Sequence, residues 1–250
     1  MTKIDGEMKR RSRIRKRSLV GDTYILELDK ISPEYKNILI KFKDEQICKE
    51  FVIKNPYSGL CGIGLIGNTK TIDSNGKIKK SYNTWKNMIH RCYNQKALDR
   101  HPTYQECSVC DEWLYYANFE QWWNDNYYEI GNQEMHLDKD ILVKGNKIYS
   151  PETCVMVPVD INLLFIKRDA KRGSLPIGVS YFKRDNKYTA VLREFGEQHY
   201  LGLYNTPIEA FNVYKEAKER FIKAKADEYK DKIPQKLYDA MYKWEVEIND

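Results

Sequence analysis

No apolar run in the 250 residues approaches the roughly 20 that a membrane-spanning helix needs, so no membrane partner is expected. The first residues lack the apolar centre of a secretory signal, and a cytoplasmic protein is expected. The chain has six cysteines but a single CxxC, Cys107-Ser-Val-Cys110, with no neighbouring histidine pair. A zinc site would have to recruit Cys92 and Cys154 from a distance, so structural zinc is not expected and the cysteines read as thiols filling an aromatic core. Internal repeats and low-complexity tracts are absent as well, which excludes solenoids. What remains is the composition of a globular protein, 42% hydrophobic and 31% charged. Nineteen Tyr and five Trp let small cores be filled by large side chains. The length exceeds that of one usual domain and predicts two or three small ones.

The net charge of +6 is local. In residues 1–17, eight basic side chains, among them Arg10, Arg11 and Arg13, oppose only Asp5 and Glu7, and this arm holds the whole excess. A basic arm on a near-neutral body suits contact with phosphate, because each neutralised phosphate releases condensed counterions.

Residues 18–70 read as a small β unit, with strand composition at Tyr24–Leu28 and Ile38–Lys43 and glycine-rich loops from 56 onward. From Tyr82 the period changes: Tyr82, Trp85, Met88, Ile89 and Cys92 define one helix face. A second helix follows, its apolar side made of Trp113, Phe119, Trp122 and Trp123. Residues 134–165 read as strand, turn, strand and helix. After a linker at Gly173–Pro176 come three strands, 177–183, 187–194 and 198–204, turned at Asp185-Asn186 and Phe195-Gly196-Glu197. Thr206-Pro207-Ile208-Glu209 is a capping box with proline at the first helical position. It predicts a helix burying Ala210, Phe211, Tyr214 and Ala217, and a last helix spans 235–246.

Within 177–217, Gly178-Val179, Lys187-Tyr188-x-Ala190, Tyr200-Leu201-Gly202 and Thr206-x-x-Glu209-Ala210 with Tyr214 and Ala217 resemble the Apetala-type (ethylene-response-factor-like) DNA-binding domain. The resemblance implies a three-stranded sheet that enters the major groove, where arginine reads guanine by paired hydrogen bonds. Arg184, Lys187, Arg193 and Tyr181 are the candidates for its DNA-facing side, and a slip of one residue in register would exchange the faces.

Within 134–165, His136-Leu-Asp138-Lys139-Asp140, Ser150-Pro151-Glu152-Thr153-Cys154 and Asn162 resemble the ββα site of phage and mobile-intron HNH homing endonucleases. Trp85-x-x-Met88-x-x-Arg91-Cys92-Tyr93 extends the likeness to about residues 80–165. It implies a metal-dependent phosphodiesterase, with Mg²⁺ or Mn²⁺ held by Asp138, Asp140 and Asn162. Two positions depart from the family. Thr153 stands where an asparagine pins the loop, and Lys139 or Asp140 where the general-base histidine is found. Along a regular strand His136, Asp138 and Asp140 would share a face, and His136, with an ordinary pKa near neutrality, could stand in as base.

The expectation is therefore an α+β chain: basic arm 1–17, β unit 18–70, HNH-like domain 71–172, Apetala-type domain 173–229 and closing helix 230–250. The expected partner is double-stranded DNA, and a phage protein acting in a bacterial host fits the resemblance. The leading function is a sequence-directed DNA endonuclease or nickase. The alternative is a catalytically degenerate DNA-binding protein that keeps the nuclease frame as scaffold; an RNA binder fits a major-groove module less well.

Overall fold

The helical period beginning near Tyr82 becomes α1, Lys80–Tyr93, which buries Ser81, Trp85, Met88, Ile89 and Cys92. The computed structural model describes residues 60–250 except 62, 67–68, 167–173 and 249. The basic arm and the strands expected within 18–59 lie outside the described residues. The chain divides into two compact units, Met1–Tyr127 with Asn146–Thr153, and Tyr128–Gly145 with Cys154–Asp250. That division runs through the expected nuclease segment and not along the expected boundary at 172–173.

In the described part of the first unit, α1 is followed by the short helix α2, Gln95–Arg100, and later by α3, Tyr116–Asn126. Their aromatic side chains form the core, with Trp85, Trp113, Tyr116 and Phe119 all but inaccessible. Polar ends are satisfied inside it, as buried Tyr and Trp require: Trp85 Nε1 donates to Trp113 O at 2.7 Å, and Ser81 Oγ lies 2.9 Å from Tyr116 Oη. A two-residue parallel pairing joins β1, Ser108–Val109, to β3, Ile148–Tyr149.

The second unit holds an antiparallel hairpin of β2, Met135–Asp138, and β4, Val155–Pro158, followed at once by α4, Val159–Leu164. It continues into a three-stranded antiparallel sheet, β5 (Val179–Phe182), β6 (Lys187–Glu194) and β7 (Glu197–Tyr204), then α5 (Pro207–Glu228) and α6 (Gln235–Tyr242). The mixture of helix and strand is the expected α+β class. α5 opens on the predicted capping box: Thr206 Oγ1 accepts from Glu209 N, and Glu209 Oε2 accepts from Thr206 N, both at 3.2 Å. It runs eleven residues beyond Ala217, because 218–228 contain neither Gly nor Pro and the buried stripe continues through Lys218, Ile222 and Ala226. α6 stops at Tyr242, short of the expected 246. Beyond it Val246 is buried, with its N–H on Glu219 Oε1 at 2.8 Å.

Two backbone positions fix the sheet. Gly178 has φ +75°, and a Cβ there would fall 2.1 Å from the Tyr214 ring of α5. Only glycine allows that approach. Between β6 and β7 the two turn residues Phe195 and Gly196 both have positive φ, 49° and 86°, the pattern of a two-residue hairpin turn matched to strand twist. Phenylalanine is strained there, and its ring lies 6.2 Å from Phe221 with Lys225 Nζ 4.9 Å over its face.

Candidate functional site

The sheet has one face on α5 and one in solvent. Tyr188, Ala190, Leu192 and Glu194 alternate inward along β6, leaving Lys187, Thr189, Val191 and Arg193 outward. Direct cross-strand partners lie on the same face, so Phe182 opposite Lys187, Ser180 opposite Thr189, and Gln198 opposite Arg193 complete the outer side. A bulge between Ala190 and Val191 restores Tyr200 to this face, opposite Val191, where it is 60% exposed. Arg193 Nε donates to Gln198 Oε1 at 3.0 Å, and Ser180 and Thr189 share a hydroxyl contact of 2.7 Å.

Of the residues expected to face DNA, Lys187 and Arg193 lie together on this outer side. Arg184 sits in the turn after β5, paired with Asp185 at 2.8 Å and stacked over Phe182 at 5.2 Å. Tyr181 pairs with Tyr188, their rings 5.5 Å apart, at the open end of the sheet, where it is 49% exposed. Period-two alternation counted from Val179 puts Tyr181 on the inner side. Phe182, Gln198 and Tyr200, absent from the expected set, are legible by the same count once the register is known. Arg10, Arg11 and Arg13 lie outside the described residues.

In the hairpin, His136 and Asp138 share a face, opposite Val157 and Val155. The strand ends at Asp138, so the alternation expected to reach Asp140 does not. Asp138 Oδ1 accepts the backbone N–H groups of Asp140 at 2.8 Å and Ile141 at 2.7 Å and bends the chain into a turn. Burial, and then the neighbouring Asp140 charge, push the Asp138 carboxyl up to about 6. Lys139, expected at the base position, is buried, and its Nζ donates to Asp140 Oδ2 at 2.9 Å.

Asn162 arrives from α4, 26 residues along the chain, and its Nδ2 lies 3.0 Å from His136 Nδ1. With the amide donating, the ring accepts at Nδ1 and carries its proton on Nε2, which lies 3.6 Å from Glu134 Oε1. Reversal of the amide would leave Nε2 basic. α4 is held in place by Val159 N donating to Glu134 O at 2.9 Å. Tyr229 Oη, from just past α5, accepts from Gln133 Nε2 at 2.7 Å and donates to Asp160 Oδ2 at 3.3 Å. Nothing in the sequence marked Tyr229, since its partners are some 70 and 96 positions away.

The structure thus brings His136 to Asn162 and Asp138 to Asp140. Among the described residues, no group of three or more His, Cys, Asp and Glu side chains is disposed to hold a metal ion. Asp138 and Asp140 are the side chains that would hold a divalent cation, but Asp138 Oδ1 already accepts two backbone N–H groups and Asp140 Oδ2 accepts from Lys139 Nζ, while Asn162 is engaged by His136.

Thr153 lies in the first unit. Its Oγ1 donates to Ile148 O at 2.8 Å and lies 3.1 Å from Ser150 Oγ. One hydroxyl thereby closes the Ser150–Thr153 corner onto the strand before it, the backbone-pinning task expected of an asparagine. Cys92, Cys107 and Cys154 are buried, and burial pushes the Cys110 thiol up to about 11. Cys110 is therefore no ready thiolate.

No family model, no curated protein and no solved structure matches this chain. Among the described residues no helix is long and apolar enough to cross a membrane.

Proposed function

We propose that the protein is a sequence-directed DNA endonuclease, in which the outer face of the three-stranded sheet holds the duplex and the β2–β4–α4 hairpin carries the cutting site. The observation that carries this reading is the meeting of His136 and Asn162 on a strand–strand–helix frame, beside the opposed carboxylates of Asp138 and Asp140. Phosphodiester hydrolysis needs a base to take a proton from water and positive charge at the leaving oxygen. His136 is the one side chain of the frame suited to the first task, in the tautomer that leaves Nε2 basic. A divalent cation at Asp138 and Asp140 would supply the second. Lys187, Arg193, Gln198 and Tyr200 offer cationic, amide and aromatic groups to a groove, the types that read bases and position phosphates.

The site also supports a second reading, a DNA-binding protein in which the nuclease frame survives as scaffold. Lys139 and Asp140 pair with each other at the position where the HNH enzymes that the segment resembles carry their base, and Asp138 Oδ1 is occupied by two backbone N–H groups.

Incubation of supercoiled plasmid with the full chain and Mg²⁺ or Mn²⁺, against EDTA, separates the two. The endonuclease gives metal-dependent nicks or breaks that vanish in Asp138→Ala and Asp140→Ala while DNA is still bound. A chain that selects sequences but leaves plasmid intact with every divalent ion is the scaffolded binder.

A further inference from the structure

α5 serves two cores at once. Its first half packs under the sheet through Ala210, Phe211 and Tyr214, together with Val179, Ala190 and Leu192. Its second half supplies Ile222, Ala226 and, just beyond it, Tyr229 to the core of the hairpin, with Val155, Val157 and Ile161. Phe221 and Trp244 pack against both clusters, so the interior is continuous. Polar ties reinforce each end. Glu194 and Lys218 form a buried ion pair between β6 and α5. Tyr229 bridges Gln133 and Asp160 at the hairpin end, and Lys144 in the loop after β2 reaches Glu245 O and Asp250 Oδ2, each at 2.7 Å. All of these residues belong to one compact unit. A packed helix of 22 residues does not bend freely, because interiors at crystal-like density transmit displacement instead of absorbing it.

We propose that α5 is a rigid spacer that fixes the offset between the base pairs held by the sheet and the DNA segment met by the hairpin. The proposal rests on the reading of the outer sheet face as the DNA-holding surface. From Phe211 to Ile222 the helix advances eleven residues, about 16 Å at 1.5 Å per residue. The connection between α4 and β5 does not set this offset, because the hairpin and the sheet are joined through their shared core.

The test uses the full chain with p-benzoylphenylalanine in place of Leu163, an exposed side chain on α4 next to Asn162. One version has the natural connection, and the other has Gly-Ser-Gly-Ser inserted ahead of Ser174, a loop extension of small thermodynamic cost. Each is first used to select duplexes from a random-sequence library, then photo-crosslinked to the selected DNA. The spacer predicts the same one or two crosslinked positions in both versions, within one helical turn of the selected sequence. Crosslinks that move or spread when the connection is lengthened, that scatter already in the natural version, or that fail to form on selected DNA would overturn it. If no sequence is enriched at all, the failure lies with the sheet as DNA-holding surface, and it is recognised before any crosslinking is done.

Discussion

At Asp138 a single carboxylate both shapes a turn and repels its neighbour. Its pKa of about 6 in the folded chain lies above the ordinary 3.8, so between those values the folded state binds more protons than the unfolded one. The favourable contribution of the protonated group is therefore complete below about pH 4 and is lost as pH rises through about 6. Asp138→Asn keeps an oxygen for the N–H groups of Asp140 and Ile141 and cannot titrate. Urea denaturation in the presence of chelator should show that this variant loses less stability than the parent between pH 4 and 6. Equal slopes would mean that the carboxylate is solvated in the folded chain. Gly178 makes a different demand, one of space. Gly178→Ala both forces a side chain into positive φ and drives Cβ into the Tyr214 ring, at a cost of roughly 2–4 kcal/mol. A loss below about 0.5 kcal/mol would show that the sheet can slide on α5.

Between elements, Glu194 on β6 and Lys218 on α5 form a buried ion pair. Lys218→Met leaves a carboxylate without its cation in a closed interior and should cost about 3–5 kcal/mol, whereas adding Glu194→Leu should recover most of it. Chemical denaturation of the two single variants and the double variant measures the coupling. The sequence announced neither partner, because nothing local distinguishes Lys218 from the other lysines of α5. Elements governed by local rules were legible: the α1 face at 3.6-residue spacing, the Thr206–Glu209 capping box, and the alternation of β6. Elements governed by tertiary contact were not. β4 reads Val-Met-Val-Pro without alternation because it is buried on both faces. The hairpin strand stops at Asp138 because a side chain caps its turn, which broke the expected alignment with Asp140. The pairing of His136 with Asn162 needed the topology, although each residue alone was visible as a candidate.

For the whole molecule, the second unit should unfold as one. Truncation after Ala217 keeps the sheet and the first half of α5, yet it removes Ile222, Ala226, Tyr229, Ile233, Leu237 and Met241 from the hairpin core. Hydrogen exchange should then show the Val155–Val157 amides losing protection even though no hairpin residue has been altered. Retained protection would mean that the hairpin closes its own core.

A helix interior owned by two partners also constrains what can be recombined. A chimera that takes a foreign sheet-and-helix domain at the connection before Ser174 would discard the apolar floor of the hairpin. On the proposed reading of the sheet as the DNA-holding face, retargeting would be done by grafting: keep 207–241 intact and exchange only the outward side chains of the strands, Lys187, Thr189, Arg193, Gln198 and Tyr200. Those five positions can be randomised as a library without touching either core.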